Sequence, residues 1–155
     1  RSTLFPYTTL FRSQPLRMRS AGQNIIPTST GASIAATEVI PSLKDKFGGL
    51  SLRVPTPVAS IADITALMKQ DVTVDEVNDV FRKAAQEDYY QGILDATDEK
   101  LVSSDFIGNP CSSIVDLSLT AVVQGNLLKV VAWYDNEWAY SNRLVELTAD
   151  VAKLV

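Results

Sequence analysis

The feature that most constrains the fold is a run of short strand-like segments that begins after Gly92 and ends at Tyr134. Apolar and β-branched residues cluster there in short pieces that turn-forming residues separate. The predicted strands are 93–96, 101–106, 113–117, 120–123 and 127–134. Gln124-Gly125-Asn126 predicts a tight hairpin between the last two. Strands that follow one another without helices between them favour an antiparallel or mixed sheet.

Helices are predicted on both sides of this run. Thr73-Val74-Asp75-Glu76 has the spacing of a capping box at the start of a helix. The apolar positions of that helix are Val77, Val80, Phe81, Ala84 and Ala85. An alanine-rich helix is predicted at 32–40, with a hydroxyl cap from the preceding Thr28 to Gly31. A terminal helix has the apolar positions Leu144, Leu147, Thr148, Val151 and Leu154.

Two further strands are predicted at 50–54 and 60–67, on either side of Pro55-Thr56-Pro57. The sum of these elements predicts an α+β fold with a mostly antiparallel or mixed sheet and helices on one face. No Gly-x-Gly-x-x-Gly lies between a strand and a helix, so the chain holds no complete Rossmann domain for a dinucleotide.

Composition excludes several classes of function. The net charge of −4 argues against a nucleic-acid backbone as the main partner. No apolar run approaches the roughly 20 residues that cross a bilayer, so no membrane partner is expected. The single cysteine, Cys111, favours a reducing, cytoplasmic location. The chain has no histidine, so it cannot build a histidine-dependent general base or metal site by itself.

The first segment, 1–13, has neither a helical nor a strand period. Residues Thr3 to Ser13 resemble the in-frame translation of a common short-read sequencing adapter. We therefore expect 1–13 to be non-native and 14–155 to be one domain that is incomplete at its N-terminus. The true start of the protein is expected to lie upstream.

Several polar residues have no evident packing role. Arg17, Thr30-Gly31 at a helix start, and Arg53 in a strand together suit a cradle for phosphate oxygens. Taken singly, each is more typical of a solvated arginine or an ordinary helix cap. The segment Trp133 to Arg143 interleaves aromatic with polar residues between a strand and a helix. It is compatible with a binding site or with a buried aromatic cluster beside a capped helix.

Four segments of the chain form recognisable motifs, namely Asn24 to Ala32, Arg53 to Pro57, Val102 to Phe106 and Trp133 to Arg143. Together they resemble glyceraldehyde-3-phosphate dehydrogenase. Their order along the chain, from about Leu16 to the C-terminus, is that of the family's C-terminal catalytic domain. The resemblance implies a parent enzyme that oxidises and phosphorylates glyceraldehyde 3-phosphate to 1,3-bisphosphoglycerate in glycolysis. It also implies a cytoplasmic homotetramer with NAD as the cofactor.

The resemblance assigns roles to individual phosphate-binding residues. Arg53 corresponds to the arginine that binds the phosphate of the substrate. Thr30 and Gly31 correspond to the pair that lines the site of the attacking inorganic phosphate, and Arg17 corresponds to the arginine of that site. Arg19 is the neighbouring arginine of the same pattern. Arginine forks and a helix N-terminus are chemically suited to two phosphates.

The resemblance also assigns the cofactor contacts. Asn136 corresponds to the asparagine that holds the nicotinamide carboxamide, and Tyr140 to the tyrosine packed beside the ring. The nucleophilic cysteine and its histidine partner lie upstream of Leu16 in the family, so the chain alone is expected to be inactive. Cys111 follows Asn109-Pro110, unlike the family nucleophile, and is expected to be incidental. The family's terminal helix packs against the upstream domain, so its apolar face is expected to be exposed here.

Other interpretations remain open at this stage. The chain is compatible with a non-catalytic interaction fragment, and an erythrose-4-phosphate dehydrogenase shares the same four segments. Aspartate-semialdehyde dehydrogenase has a related architecture but lacks them. NAD and NADP are not distinguished, because the acidic residue that contacts the ribose belongs to the upstream domain.

Overall fold

The computed structural model describes residues 19–154, and these form two units, 19–56 and 57–154. The first unit holds strand β1 (Ile26–Thr28), helix α1 (Ala32–Val39), a 3-10 turn (Pro41–Leu43) and strand β2 (Ser51–Arg53). β1 and β2 are antiparallel, with Ile26 opposite Arg53 and Thr28 opposite Ser51. Strand β1 was not predicted, because Pro27 interrupts a very short apolar run.

The second unit is built on one five-stranded sheet. Its strands are β3 (Ser60–Leu67), β4 (Leu94–Thr97), β5 (Ser113–Asp116), β6 (Ala121–Val123) and β7 (Leu127–Tyr134). The order is β3-β7-β5-β4, and β6 pairs with the start of β7. β7 is antiparallel to its three neighbours, whereas β4 and β5 run parallel. The predicted α+β class with a mixed sheet is confirmed, and so is the hairpin between β6 and β7.

One predicted strand is wrong. Residues 101–106 do not form a strand; Ser103–Phe106 is a 3-10 turn. The Asp105 carboxylate accepts from the backbone N–H of Val102 at 2.8 Å, which closes the turn. Phe106 is buried there, 3% exposed, and its ring stacks on Trp133. Burial of one aromatic side chain against a distant strand therefore outweighs the local strand preference.

Helix α2 (Val74–Ala84) begins with the predicted capping box. The Thr73 hydroxyl accepts from the N–H of Glu76, while the Glu76 carboxylate accepts from both the hydroxyl and the N–H of Thr73. These hydrogen bonds lower the pKa of Glu76, and the one from the Thr73 hydroxyl has a larger effect than the one from the Thr73 N–H. The capping prediction is confirmed, because the interaction needs only residues three positions apart.

The buried face of α2 differs in part from the prediction. Val77 joins Val115, Leu117, Leu128 and Val130 in the core, and Phe81 packs against that cluster. Val80, however, is 63% exposed, whereas Asn78 is buried. The Asn78 Nδ2 donates to the carbonyl of Leu117 at 3.0 Å, whereas its Oδ1 is buried without a hydrogen-bond partner among the described residues, so the burial is compensated only in part.

Helix α3 (Trp138–Ala152) is the longest helix among residues 19–154. Its apolar residues Leu144, Leu147 and Val151 are each at least half exposed, as expected for a face that packs on residues outside this chain. None of the helices in this part of the chain has the length and apolar character that a membrane crossing requires.

The hairpin turn depends on backbone with positive φ. Gln124 has a φ of 51° and Gly125 a φ of 80°. The carbonyls of Gly125 and Asn126 accept from the N–H groups of Val72 and Met68, both at 2.8 Å, so the turn also fixes the segment that follows β3. A Cβ at Gly125 would lie 2.9 Å from the carboxyl carbon of Asp71.

We expect Gly125→Ala to lower the free energy of unfolding by about 1–2 kcal/mol, since an L residue resists left-handed backbone. Gly125→Asn is the matched control, because asparagine tolerates this conformation although its side chain is larger. Urea unfolding of the chain should rank stability as Gly above Asn above Ala. If the asparagine variant is the least stable, the loss of stability comes from the clash of the new side chain with Asp71 and not from the positive φ.

Candidate functional site

The first unit presents a threonine and a helix start. The Thr30 hydroxyl accepts from the N–H of Ala32 at 3.1 Å. Gly31 occupies the N-cap position of α1 and contributes no side-chain cap. The predicted hydroxyl cap is therefore not formed at the cap position, and the Thr30 hydroxyl contacts the N–H of the first residue of α1 from one position before it. The hydroxyl lies beside N–H groups that have no partner within the helix, an arrangement that favours an anion.

Arg53 lies at the other end of the same small sheet. It ends β2 opposite Ile26, while Thr30 follows the far end of β1. Arg53 is exposed and makes no ion pair with a carboxylate of residues 19–56. The sheet therefore presents Thr30-Gly31 and Arg53 at opposite ends and not as one cluster. Arg17, the remaining predicted phosphate ligand, lies outside the described residues.

In the second unit, two segments singled out from the sequence lie together. Phe106 stacks on Trp133 with ring centroids 5.2 Å apart and ring planes 12° apart. The indole N–H of Trp133 donates to the buried carboxylate of Asp116 at 3.0 Å. The other oxygen of that carboxylate accepts from the N–H and the hydroxyl of Ser118. Trp133 is thus part of the supporting packing, the alternative that the sequence left open.

Asp135 connects three parts of this unit through one buried carboxylate. One oxygen accepts from the N–H of Gly108 at 2.8 Å. The other accepts from the N–H groups of Glu137 and Trp138, both at 2.8 Å, at the start of α3. The hydrogen bonds from Gly108 and then Trp138 lower the pKa of Asp135, and they outweigh the opposing effect of burial.

Asn136 follows directly and is exposed. Its Oδ1 accepts from the hydroxyl of Ser60 at 3.1 Å, and its Nδ2 donates to Oε1 of Glu137 at 3.4 Å. Tyr140 comes four residues later in the first turn of α3, with 68% of its surface exposed. An amide and an aromatic ring are therefore both accessible at the start of one helix, a combination suited to a planar ligand that carries an amide.

Cys111 is a poor candidate for a nucleophile. Its side chain is half-buried, and burial, followed by the charge of Asp95, raises the pKa of the thiol; Arg143 acts in the opposite direction. A raised pKa reduces the thiolate population at neutral pH. The guanidinium of Arg143 is instead directed to the carbonyl of Gly92 at 2.7 Å and to Glu146. The expectation that Cys111 is incidental agrees with this environment.

Two residues that support Asn136 were not predicted from the sequence. Asp135 carried a usable signal, because aspartate just before a helix commonly accepts its first N–H groups. Ser60 carried none, since it is 76 residues from Asn136 and only the pairing of β3 with β7 brings the two together.

A family model described as glyceraldehyde 3-phosphate dehydrogenase, C-terminal domain, matches residues 8–136. The match begins inside the segment 1–13, whose non-native origin therefore stays a prediction.

Individual relatives give the same result. A glyceraldehyde-3-phosphate dehydrogenase of Zymomonas mobilis is 51% identical over 137 residues, which are 88% of this chain and 41% of that protein. One of Streptomyces coelicolor is 48% identical over 147 residues, or 95% of this chain and 42% of that protein. A Bacillus subtilis glyceraldehyde-3-phosphate dehydrogenase 1 is 50% identical over 137 residues, with 88% and 41% covered. The chain thus spans about two fifths of the length of these curated relatives.

The environment of Asp135 generates a prediction about acid stability. Because its folded pKa is lowered, it stabilises the fold above the ordinary aspartate pKa, and this contribution is lost as the pH falls through the folded value. Asp135→Asn should cost about 1–3 kcal/mol at neutral pH, since an amide N–H would face the N–H of Gly108 or Glu137. It should also flatten the loss of stability in acid.

The measurement is urea unfolding between neutral and acidic pH. Glu99→Gln is the matched control, because it removes an exposed carboxylate whose side chain makes no hydrogen bond within the described residues. An Asp135→Asn variant with the wild-type acid profile would contradict the assignment.

Proposed function

Because the chain belongs to the glyceraldehyde 3-phosphate dehydrogenase family through its C-terminal domain, we propose that the protein containing it is the phosphorylating, glycolytic enzyme. It would oxidise glyceraldehyde 3-phosphate to 1,3-bisphosphoglycerate with NAD and inorganic phosphate. The observation that carries the proposal is the match over residues 8–136, which includes Thr30, Gly31, Arg53 and Asn136.

We assign the two phosphates to the two ends of the small sheet in the first unit. Arg53 has an exposed guanidinium without a carboxylate partner in that unit, and a planar fork of donors suits the dianionic phosphate of the substrate. Thr30 and Gly31 offer a hydroxyl and helix N–H groups to inorganic phosphate. Their separation along the sheet supports two phosphate positions. Arg17 would complete the inorganic phosphate site.

We assign the nicotinamide ring of NAD to the start of α3. The accessible amide of Asn136 fits a carboxamide, and the exposed ring of Tyr140 fits the face of a planar heterocycle. When bound, NAD would supply the hydride acceptor for the oxidation. The role of these residues is to hold and orient the ring. NADP stays an alternative cofactor, because the acidic residue that contacts the ribose belongs to the upstream dinucleotide domain in this family.

The upstream part of the protein would contribute the nucleophilic cysteine, the histidine and the dinucleotide domain. Exposed apolar residues on α3 and on β3, such as Leu147 and Ile61, are suited to contacts with that domain or with other subunits. We propose a homotetramer in the cytoplasm.

The 155-residue chain alone should form no reduced NAD from glyceraldehyde 3-phosphate and phosphate, because it has no histidine and its only thiol has a raised pKa. The full-length protein should be active in the same absorbance assay. Circular dichroism verifies that the purified chain is folded, and erythrose 4-phosphate tests the alternative substrate. Phosphate-dependent turnover by the chain would disprove its inactivity, and an inactive full-length protein would disprove the proposed function.

Substitutions in the full-length protein test the two phosphate assignments separately. Arg53→Gln should raise the KM for the aldehyde by about 10- to 100-fold, since it removes a charged donor. Thr30→Val should raise the KM for inorganic phosphate by about 3- to 10-fold, since it removes a neutral one. Lys44→Gln is the matched control, an exposed cation of the same unit for which both constants should stay unchanged. Equal effects of Arg53→Gln on both constants would contradict separate phosphate sites.

A further inference from the structure

The hydroxyl of Ser60 contacts the amide to which the cofactor ring has been assigned. Ser60 is the first residue of β3 and pairs with Tyr134 near the end of β7. Its Oγ donates to Oδ1 of Asn136 at 3.1 Å. The sheet register therefore fixes the position of this hydroxyl relative to the turn that contains Asn136.

The neighbours of Asn136 determine which way its amide is turned. The Glu137 carboxylate is only an acceptor, so the amide atom that lies 3.4 Å from its Oε1 must be Nδ2. Oδ1 then faces the hydroxyl of Ser60, which is able to donate. Nδ2 has two protons, and one carboxylate oxygen engages only one of them. The second proton is available to a carbonyl oxygen.

The backbone on both sides of this contact is held firmly. Ala59, directly before Ser60, is buried and has a φ of 71°, a left-handed conformation that is unusual for alanine. Such backbone persists only where the surrounding packing enforces it. On the other side, Asp135 fixes the backbone directly before and after Asn136 through its three N–H donors.

We propose that Ser60 is a positioning residue for the cofactor. Its hydroxyl holds the Asn136 amide with Oδ1 towards Ser60, so that Nδ2 donates to the carbonyl oxygen of the nicotinamide carboxamide. The inference rests on the proposed function. Without the hydroxyl, only the longer contact with Glu137, 3.4 Å, orients the amide. The amide then turns by half a rotation in part of the molecules and presents an acceptor where the ligand also presents an acceptor.

The test is equilibrium binding of NAD to the full-length protein by calorimetry. Ser60→Ala should raise the Kd for NAD about tenfold, the effect of roughly one hydrogen bond. Ser60→Thr, which keeps the hydroxyl, should restore binding to within about twofold of wild type. Thr65→Ala removes an exposed hydroxyl from the same strand and serves as the matched control, with an unchanged Kd.

A double-mutant cycle distinguishes positioning from general loosening of the fold. If Ser60 acts through Asn136, then Ser60→Ala should not weaken NAD binding further when Asn136→Ala is already present. Additive effects of the two substitutions would overturn the proposal. If Ser60→Ala does not fold, Ser60→Cys keeps a side chain of similar size with a much weaker donor and gives the same comparison.

A cofactor analogue tests the direction of the hydrogen bond. The 3-acetylpyridine analogue of NAD keeps the carbonyl oxygen but lacks the amide N–H₂, so it cannot donate to a rotated Asn136. Ser60→Ala should therefore weaken binding of the analogue more than binding of NAD. Equal weakening of both ligands would overturn the assigned direction.

The outcomes also separate this inference from the one on which it rests. A wild-type protein that does not bind NAD overturns both. Wild-type binding that Ser60→Ala leaves unchanged overturns only the role of Ser60.

Discussion

The second unit depends on the hydrogen bonds of one buried carboxylate. Asp135 accepts from Gly108, Glu137 and Trp138, so a single side chain connects the end of β7, the turn after Phe106 and the first turn of α3. A buried aspartate is tolerated because three backbone donors compensate for its desolvation. Asn136, the residue assigned to the cofactor, lies between two of these anchored positions.

Support and binding are divided between neighbouring side chains. Asp116 and Asp135 use their oxygens on protein donors and are buried, and Trp133 is held by Asp116 and by the ring of Phe106. Asn136 and Tyr140 are exposed. The segment Trp133 to Arg143 is therefore both an aromatic packing cluster and a candidate binding site. From the sequence alone, these two interpretations were alternatives.

The two units offer different chemistry. The small antiparallel sheet of the first unit has a guanidinium at one end and a hydroxyl beside a helix start at the other, which suits anions. The second unit offers an amide donor and an aromatic face, which suit a planar ring that carries a carboxamide. The proposed function gives these features a common context, namely an enzyme that binds two phosphates and a nicotinamide.

The sequence by itself determined what short-range interactions decide. The capping box of Thr73 and Glu76, the β6–β7 hairpin and the α+β class follow from spacings of a few residues, and the family motifs identify the candidate site residues. Tertiary structure decided what depends on distant partners. The burial of Phe106 favours a 3-10 turn where a strand was predicted. On α2, Asn78 is buried and Val80 is exposed. Ser60 forms a hydrogen bond with Asn136, 76 residues away in the sequence. Burial and hydrogen bonding across a sheet override the local preference for helix or strand. The residues that make these contacts are far apart in the sequence, so a short stretch of sequence does not reveal them.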